Sequence, residues 1–245
     1  MRKTLITLIL FFVYTLSWAE TPASDSTNSR KLKAEATVSL NSNGIAYIPA
    51  FSLDKPALIG MFSLKKGRFS YDPALSYSLE LRPWIVDNWF HYTLMDLPYL
   101  EIRAGAVISS FFSEYRAPEG LIHRAQKYLA GELMARYKFS PLSSLSFTYL
   151  VDRGQDSGTL NGSFYNLQYD RSALPLGKKG LLSTSLQVFY IDYTGDNDGL
   201  FVAGNMSISL RKVPFAVFVQ AIQALGSNID PFPEFKWNVG LSYTL

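Results

Sequence analysis

The feature that most constrains this chain is its last eleven residues, Phe235 to Leu245, reading F-K-W-N-V-G-L-S-Y-T-L. Phe235, Trp237, Val239, Leu241, Tyr243 and Leu245 are apolar or aromatic, and every residue between them is polar or small. Strict period-two alternation puts all the apolar side chains on one face of a strand, so the two faces meet two different solvents. Soluble strands run about 5–6 residues, whereas a tilted strand crossing a bilayer needs about 9–11. A membrane-length strand cannot stand alone, because hydrocarbon offers no partner to an unpaired backbone edge. The chain must therefore supply further strands, and the first must pair with the last.

The N-terminus predicts export. Arg2 and Lys3 precede an apolar run from Leu5 to Leu16, followed by Ser17-Trp18-Ala19, the pattern of a signal peptide over 1–19 with cleavage after Ala19. The run falls short of the roughly 20 apolar residues a spanning helix needs. Losing Arg2 and Lys3 from 23 basic residues leaves one in excess over the 20 acids, so no electrostatic footprint calls for nucleic acid. Residues 20–32 are polar and small and read as a disordered periplasmic lead-in. There is no cysteine, which excludes disulfides, thiolate metal sites and a cysteine nucleophile. Hydrophobic residues make up 48% of the chain, yet no later run is long enough for a membrane helix, so a membrane role means a barrel.

Strand-like segments then recur over 33–41, 56–65, 68–81, 85–95, 98–111, 125–139, 144–153, 162–171, 181–193, 199–211, 214–225 and 235–245. In 98–111, Leu100, Ile102, Ala104, Ala106 and Ile108 oppose Glu101, Arg103, Gly105 and Ser109; in 199–211, Leu200, Val202, Met206, Ile208 and Leu210 oppose Asn205, Ser207, Ser209 and Arg211. Charges at mid-strand keep to one face, as a lipid-facing band requires. A soluble sandwich has the same period. Strand length, aromatic residues near strand ends (Phe69, Trp84, Trp89, Tyr99, Phe139, Tyr193, Phe215, Phe235, Tyr243) and alternating short and long connections favour the barrel. The expected architecture is all-β: one up-and-down antiparallel transmembrane barrel over 33–245, of about twelve strands. Ten is the alternative, because 118–136, opening on Pro118-Glu119, has a composition that suits a helix. Pro73 is expected at a bulge.

These residues resemble the bacterial outer-membrane β-barrel proteins, over nearly the whole chain after the leader. Residues 43–56, N-G-I-A-Y-I-P-A-F-S-L-D-K-P, together with Gly67-Arg68-Phe69-Ser70-Tyr71-Asp72-Pro73, resemble a functionally uncharacterised group within them. The resemblance implies a fold and an outer-membrane location in a diderm bacterium, with outer-membrane lipid as partner, and no activity.

A barrel of about twelve strands has a backbone radius of roughly 12 Å, leaving a narrow interior. Its inward set includes Asp72, Glu80, Glu101, Arg103, Glu132, Arg136 and Lys236. These read either as a mixed-charge constriction that filters small polar or charged solutes or as ion pairs that fill a closed lumen. Ile45, Tyr47, Ile48 and Phe51 make the 42–55 connection unusually apolar, which fits an inward-folding plug or gate, or a plain extension of its flanking strands. His91-Tyr92-Thr93 bears on the likeness to outer-membrane lipid hydrolases with a lipid-facing His-x-Ser pair, but with Phe90, Tyr92 and Leu94 facing lipid, His91 and Thr93 face the lumen. His91 and His123 are far apart in sequence, and Asp196-Asn197-Asp198-Gly199 reads as a turn, so no metal and no cofactor is expected. The expected function is a narrow passive channel or solute-binding barrel, not an enzyme. The alternatives are a membrane-embedded lipid-modifying enzyme and a structural or adhesion barrel acting through its outer loops.

Overall fold

A computed structural model describes residues 31–46, 52–117, 120–156, 159, 161–195, 197–229 and 235–245. The signal peptide, most of the lead-in, and Tyr47, Ile48, Phe51 and Asp196 lie outside the described residues. Twelve strands close into one antiparallel, up-and-down barrel: β1 (Lys33–Asn41), β2 (Ala57–Lys66), β3 (Phe69–Ser78), β4 (Pro83–Asp96), β5 (Leu100–Ala117), β6 (Gly120–Ser140), β7 (Ser143–Gly154), β8 (Asn161–Leu176), β9 (Gly180–Tyr193), β10 (Asn197–Leu210), β11 (Phe215–Ser227) and β12 (Lys236–Thr244). The closing seam pairs β1 with β12 from Thr37↔Thr244 to Asn41↔Gly240. No strand edge is left for lipid to solvate, which is the condition a spanning sheet must meet.

Period two decides the faces. Trp237, Val239 and Leu241 are exposed at 56%, 40% and 44%, while Asn238 and Ser242, of the alternate set, are buried at 1% and 2%. That is the reverse of a sandwich, where the apolar side would be dry. The same outward band continues through Phe90, Tyr92 and Leu94 on β4, Leu129 and Leu133 on β6, and Ile208 and Leu210 on β10. Five connections at the end that holds Lys33 and Thr244 are tight turns; the 42–56, 155–160 and 228–235 connections at the other end are longer. By the rule for such barrels the tight end is periplasmic and the other is the outer end.

Several expectations need correction. Residues 120–136 are strand and not helix: β5 and β6 pair without interruption from Leu100↔Tyr137 to Ala117↔Gly120, so the ten-strand alternative falls. Helix-favouring composition loses here to the ladder, since β-preference reports packing on a pleated surface more than the backbone's own choice. Beyond Phe111 and Tyr128 this hairpin runs above its neighbouring strands. Pro73 forms no bulge. Its missing N–H leaves a gap in the β2–β3 ladder between Met61↔Ala74 and Leu64↔Tyr71, with the register unchanged on both sides. Trp84, Trp89 and Tyr193 are buried rather than girdle residues, whereas Phe69, Tyr99, Phe139, Phe215 and Phe235 are exposed as a girdle requires.

Candidate functional site: the lumen

The lumen has two zones. In its outer half, inward side chains from most of the strands pack into one apolar core. Trp84, Tyr128, Leu150, Phe189 and Phe201 are each at most 1% exposed, and Ile59, Trp89, Val107, Phe164 and Ile191 join them. Phe189 stacks on Phe201 at 5.1 Å between centroids and 8° between planes, and Phe164 meets Phe189 at 5.3 Å. These three rings line one wall, on the adjacent strands β8, β9 and β10, but the cluster they belong to draws inward residues from β2 and from β4 to β11, so in a barrel of roughly 12 Å backbone radius it fills the outer half from all sides.

Residues 42–46 and 52–56, the described parts of the β1–β2 connection, lie against that core. Gly44 N–H donates to Lys55 O at 2.8 Å and Leu53 N–H to Gly44 O at 2.7 Å, which pairs the two segments and brings Ala46, Ile45 and Leu53 onto the apolar cluster. Ile229, from the connection after β11, is buried there too at 2%. The paired segments are tied to the wall. Asn238 Oδ1 accepts from Ser42 Oγ and Asn43 N, and its amide donates to Asn41 Oδ1 at 2.8 Å and Gln220 Oε1 at 2.9 Å. Lys236 Nζ reaches both oxygens of Asp54, at 2.7 and 2.9 Å. Lys236 therefore holds the loop at the outer rim and takes no part in a charged constriction.

The periplasmic half is polar, and its ion pairs cluster on the β3–β6 wall, while Glu35 on β1, Lys65 on β2 and Asp170 on β8 share the inward parity of their strands. His91 is the centre. Its Nδ1 lies 2.7 Å from Asp72 Oδ2, and its Nε2 lies 3.7 Å from Glu132 Oε1, which accepts from Arg103 Nη2 at 3.2 Å. The Asp72 carboxylate also accepts from Ser70 at 2.6 Å and from Ser63 at 2.5 Å, the latter across the ladder gap beside Pro73. His91, Asp72 and Glu132 side chains are 1–3% exposed, so both carboxylates are withdrawn from water and each is held by polar partners. Trp89 stacks on the imidazole at 5.2 Å and 5°. Nearer the periplasm, Glu101 sits between Arg136 at 3.7 Å and Lys138 at 3.6 Å, and Lys138 also reaches Asp96. The facing wall offers small polar groups: Ser146, Thr148, Gln168, Ser185 and Ser207.

Of the residues singled out in the sequence, Asp72, Glu101, Arg103, Glu132 and Arg136 are brought together on this wall. Glu80 is not: β3 ends at Ser78, and Glu80 stands exposed in the following turn, where Leu81 takes a positive φ and Arg82 Nε lies 3.2 Å away. His91 and Thr93 point inward, away from lipid. Asp72 orients the His91 ring, but the second ring nitrogen faces another carboxylate and not a hydroxyl. That arrangement holds charge; it does not activate a nucleophile, which needs its base within hydrogen-bond reach. The side chain of His123 lies outside the described residues. Sequence reading missed the aromatic core, although the signal was present: Phe189 shares parity with Gln187, and Phe201 with Ala203 and Asn205.

No family model and no curated protein matches the chain. Among solved structures it is similar to the KdgM porin in complex with disordered oligogalacturonate, with a TM-score of 0.55 and 9% identity, covering 85% of this chain and 98% of that one. It is also similar to the NanC porin, with a TM-score of 0.51 and 8% identity, covering 87% and 100%. At such identities the likeness is one of fold. With its closed ladder, its outward apolar band and these neighbours, the chain folds as a bacterial outer-membrane β-barrel.

Proposed function

We propose that the protein is a porin-type barrel of the outer membrane that is closed on its outer side and presents a polar, charge-walled cup to the periplasm, binding small polar or charged solutes without covalent chemistry. The observation that carries this reading is the dry aromatic core of the outer half, above a polar lower half. An open pore of the same strand number would leave its inward side chains wet along the whole axis. The porin likeness supports the general class, and the inward position of His91 disfavours a lipid-modifying enzyme, whose reacting groups must meet lipid. The wall carries acids against bases, so it gives no net sign preference. Oligogalacturonate, the ligand named for the KdgM porin, is one solute to try because its carboxylates and hydroxyls match Arg103, Arg136 and the serine-rich wall.

Planar-bilayer recording tests this. Wild type should insert with no sustained open current, and the triple variant Tyr128→Ala, Phe189→Ala, Phe201→Ala should conduct. Steady ohmic current from wild type would overturn the closed reading.

A further inference from the structure

The periplasmic rim carries charge that the lumen does not use. The turn after β8 reads Gly177-Lys178-Lys179, and the turn after β10 reads Arg211-Lys212-Val213-Pro214. A backbone bond from Arg211 N–H to Lys179 O, 2.9 Å, joins the two turns side by side, so four cations occupy one edge of the barrel. All four are exposed, none pairs with an acid among the described residues, and neither turn contains an Asp or Glu. Like charges placed side by side repel, and no ion pair among the described residues relieves them. Lys212 has φ +71°, a left-handed position where Gly or Asn is conformationally cheaper, so a cation is kept at a site whose backbone does not favour it.

Immediately toward the bilayer, Leu176, Leu210, Val213 and Phe215 are exposed at 42–50%, and Phe215 packs on Tyr243 at 4.9 Å. Aromatics of this kind mark the membrane interface, and long cationic side chains just beyond them reach the headgroup layer. We infer that the paired β8–β9 and β10–β11 turns form a docking surface for anionic phospholipid headgroups of the periplasmic leaflet, their phosphodiesters lying between Lys178, Lys179, Arg211 and Lys212. Lys66 and Arg68, exposed in the β2–β3 turn, place a smaller cationic group elsewhere on the same rim. The inference goes beyond the solute reading and depends only on the barrel's place and orientation in the membrane.

The test reconstitutes the whole barrel in phosphatidylcholine vesicles with spin-labelled phosphatidylglycerol or phosphatidylcholine of matched chains. The fraction of label immobilised on the protein is read by electron paramagnetic resonance. Wild type should prefer phosphatidylglycerol about three- to fivefold. That preference should fall to about parity in K178Q/K179Q/R211Q/K212Q, and in wild type when NaCl is raised to about 0.5 M. Equal immobilisation of the two lipids by wild type, or a preference that survives the four substitutions, overturns the inference. Heat-dependent gel mobility checks that the variant is folded. If it is not, K178Q/K179Q, which leaves the Lys212 turn intact, takes its place and should lose roughly half of the selectivity in free-energy terms. This outcome is independent of solute binding and of conductance.

Discussion

His91 and Gly105 face each other across β4 and β5, and a Cβ added at Gly105 would stand 2.5 Å from His91 Cδ2. The glycine is the space into which the imidazole lies, and that placement sets the ring between Asp72 and Glu132. Gly105→Ala should therefore push His91 out of register with both carboxylates and cost about 1–3 kcal/mol, the range for overpacking a closed interior. Urea-dependent refolding into vesicles measures the loss. Trp89, stacked on the ring, supplies a second readout, since its emission should change in Gly105→Ala and in His91→Ala.

Arg103 is the cation nearest to Glu132, whose side chain is 2% exposed. Removing it with Arg103→Ala leaves an acid buried with only His91 beside it, a change of about 3–5 kcal/mol in comparable buried pairs. Adding Glu132→Gln to that variant should recover much of the loss, because the orphaned charge is gone. Recovery of less than a third in the double variant would mean that Arg103 acts through packing alone.

Asp54 and Lys236 join the 52–56 segment to β12. Asp54 is half exposed, so the pair adds no more than about 1 kcal/mol to global stability. Its effect is local. Asp54→Ala should leave the unfolding midpoint nearly unchanged and speed chymotrypsin cleavage after Phe51 in intact barrels.

Leu241 lies on the lipid face, opposite Leu40 and Val217, whereas Ser207 faces inward on β10. Leu241→Arg should lower stability by about 2–4 kcal/mol in vesicles, and Ser207→Arg by far less. Equal costs at the two positions would contradict the assignment of faces. The same vesicle titrations serve for both.

Alternation in Phe235–Leu245 and its repeats determined the strands, their two faces and their length, and with them the closed barrel. These are properties of single strands: a period of two and a fixed rise per residue are local geometry, legible without knowing any neighbour. For the same reason parity alone placed Asp72, His91, Arg103, Glu132 and Arg136 inward. The composition of 118–136 suggested a helical alternative to the twelve strands, which pairing with β5 overrode over 120–136, and alternation carried Glu80 into a strand that ends at Ser78. The tertiary structure decided which inward side chains meet. Register between neighbouring strands brings Ser63, Asp72, His91 and Glu132 from four strands to one point, and sets Phe164, Phe189 and Phe201 side by side on β8, β9 and β10. No sequence spacing encodes those meetings, because a one-residue change of register in any of these strand pairs would undo them.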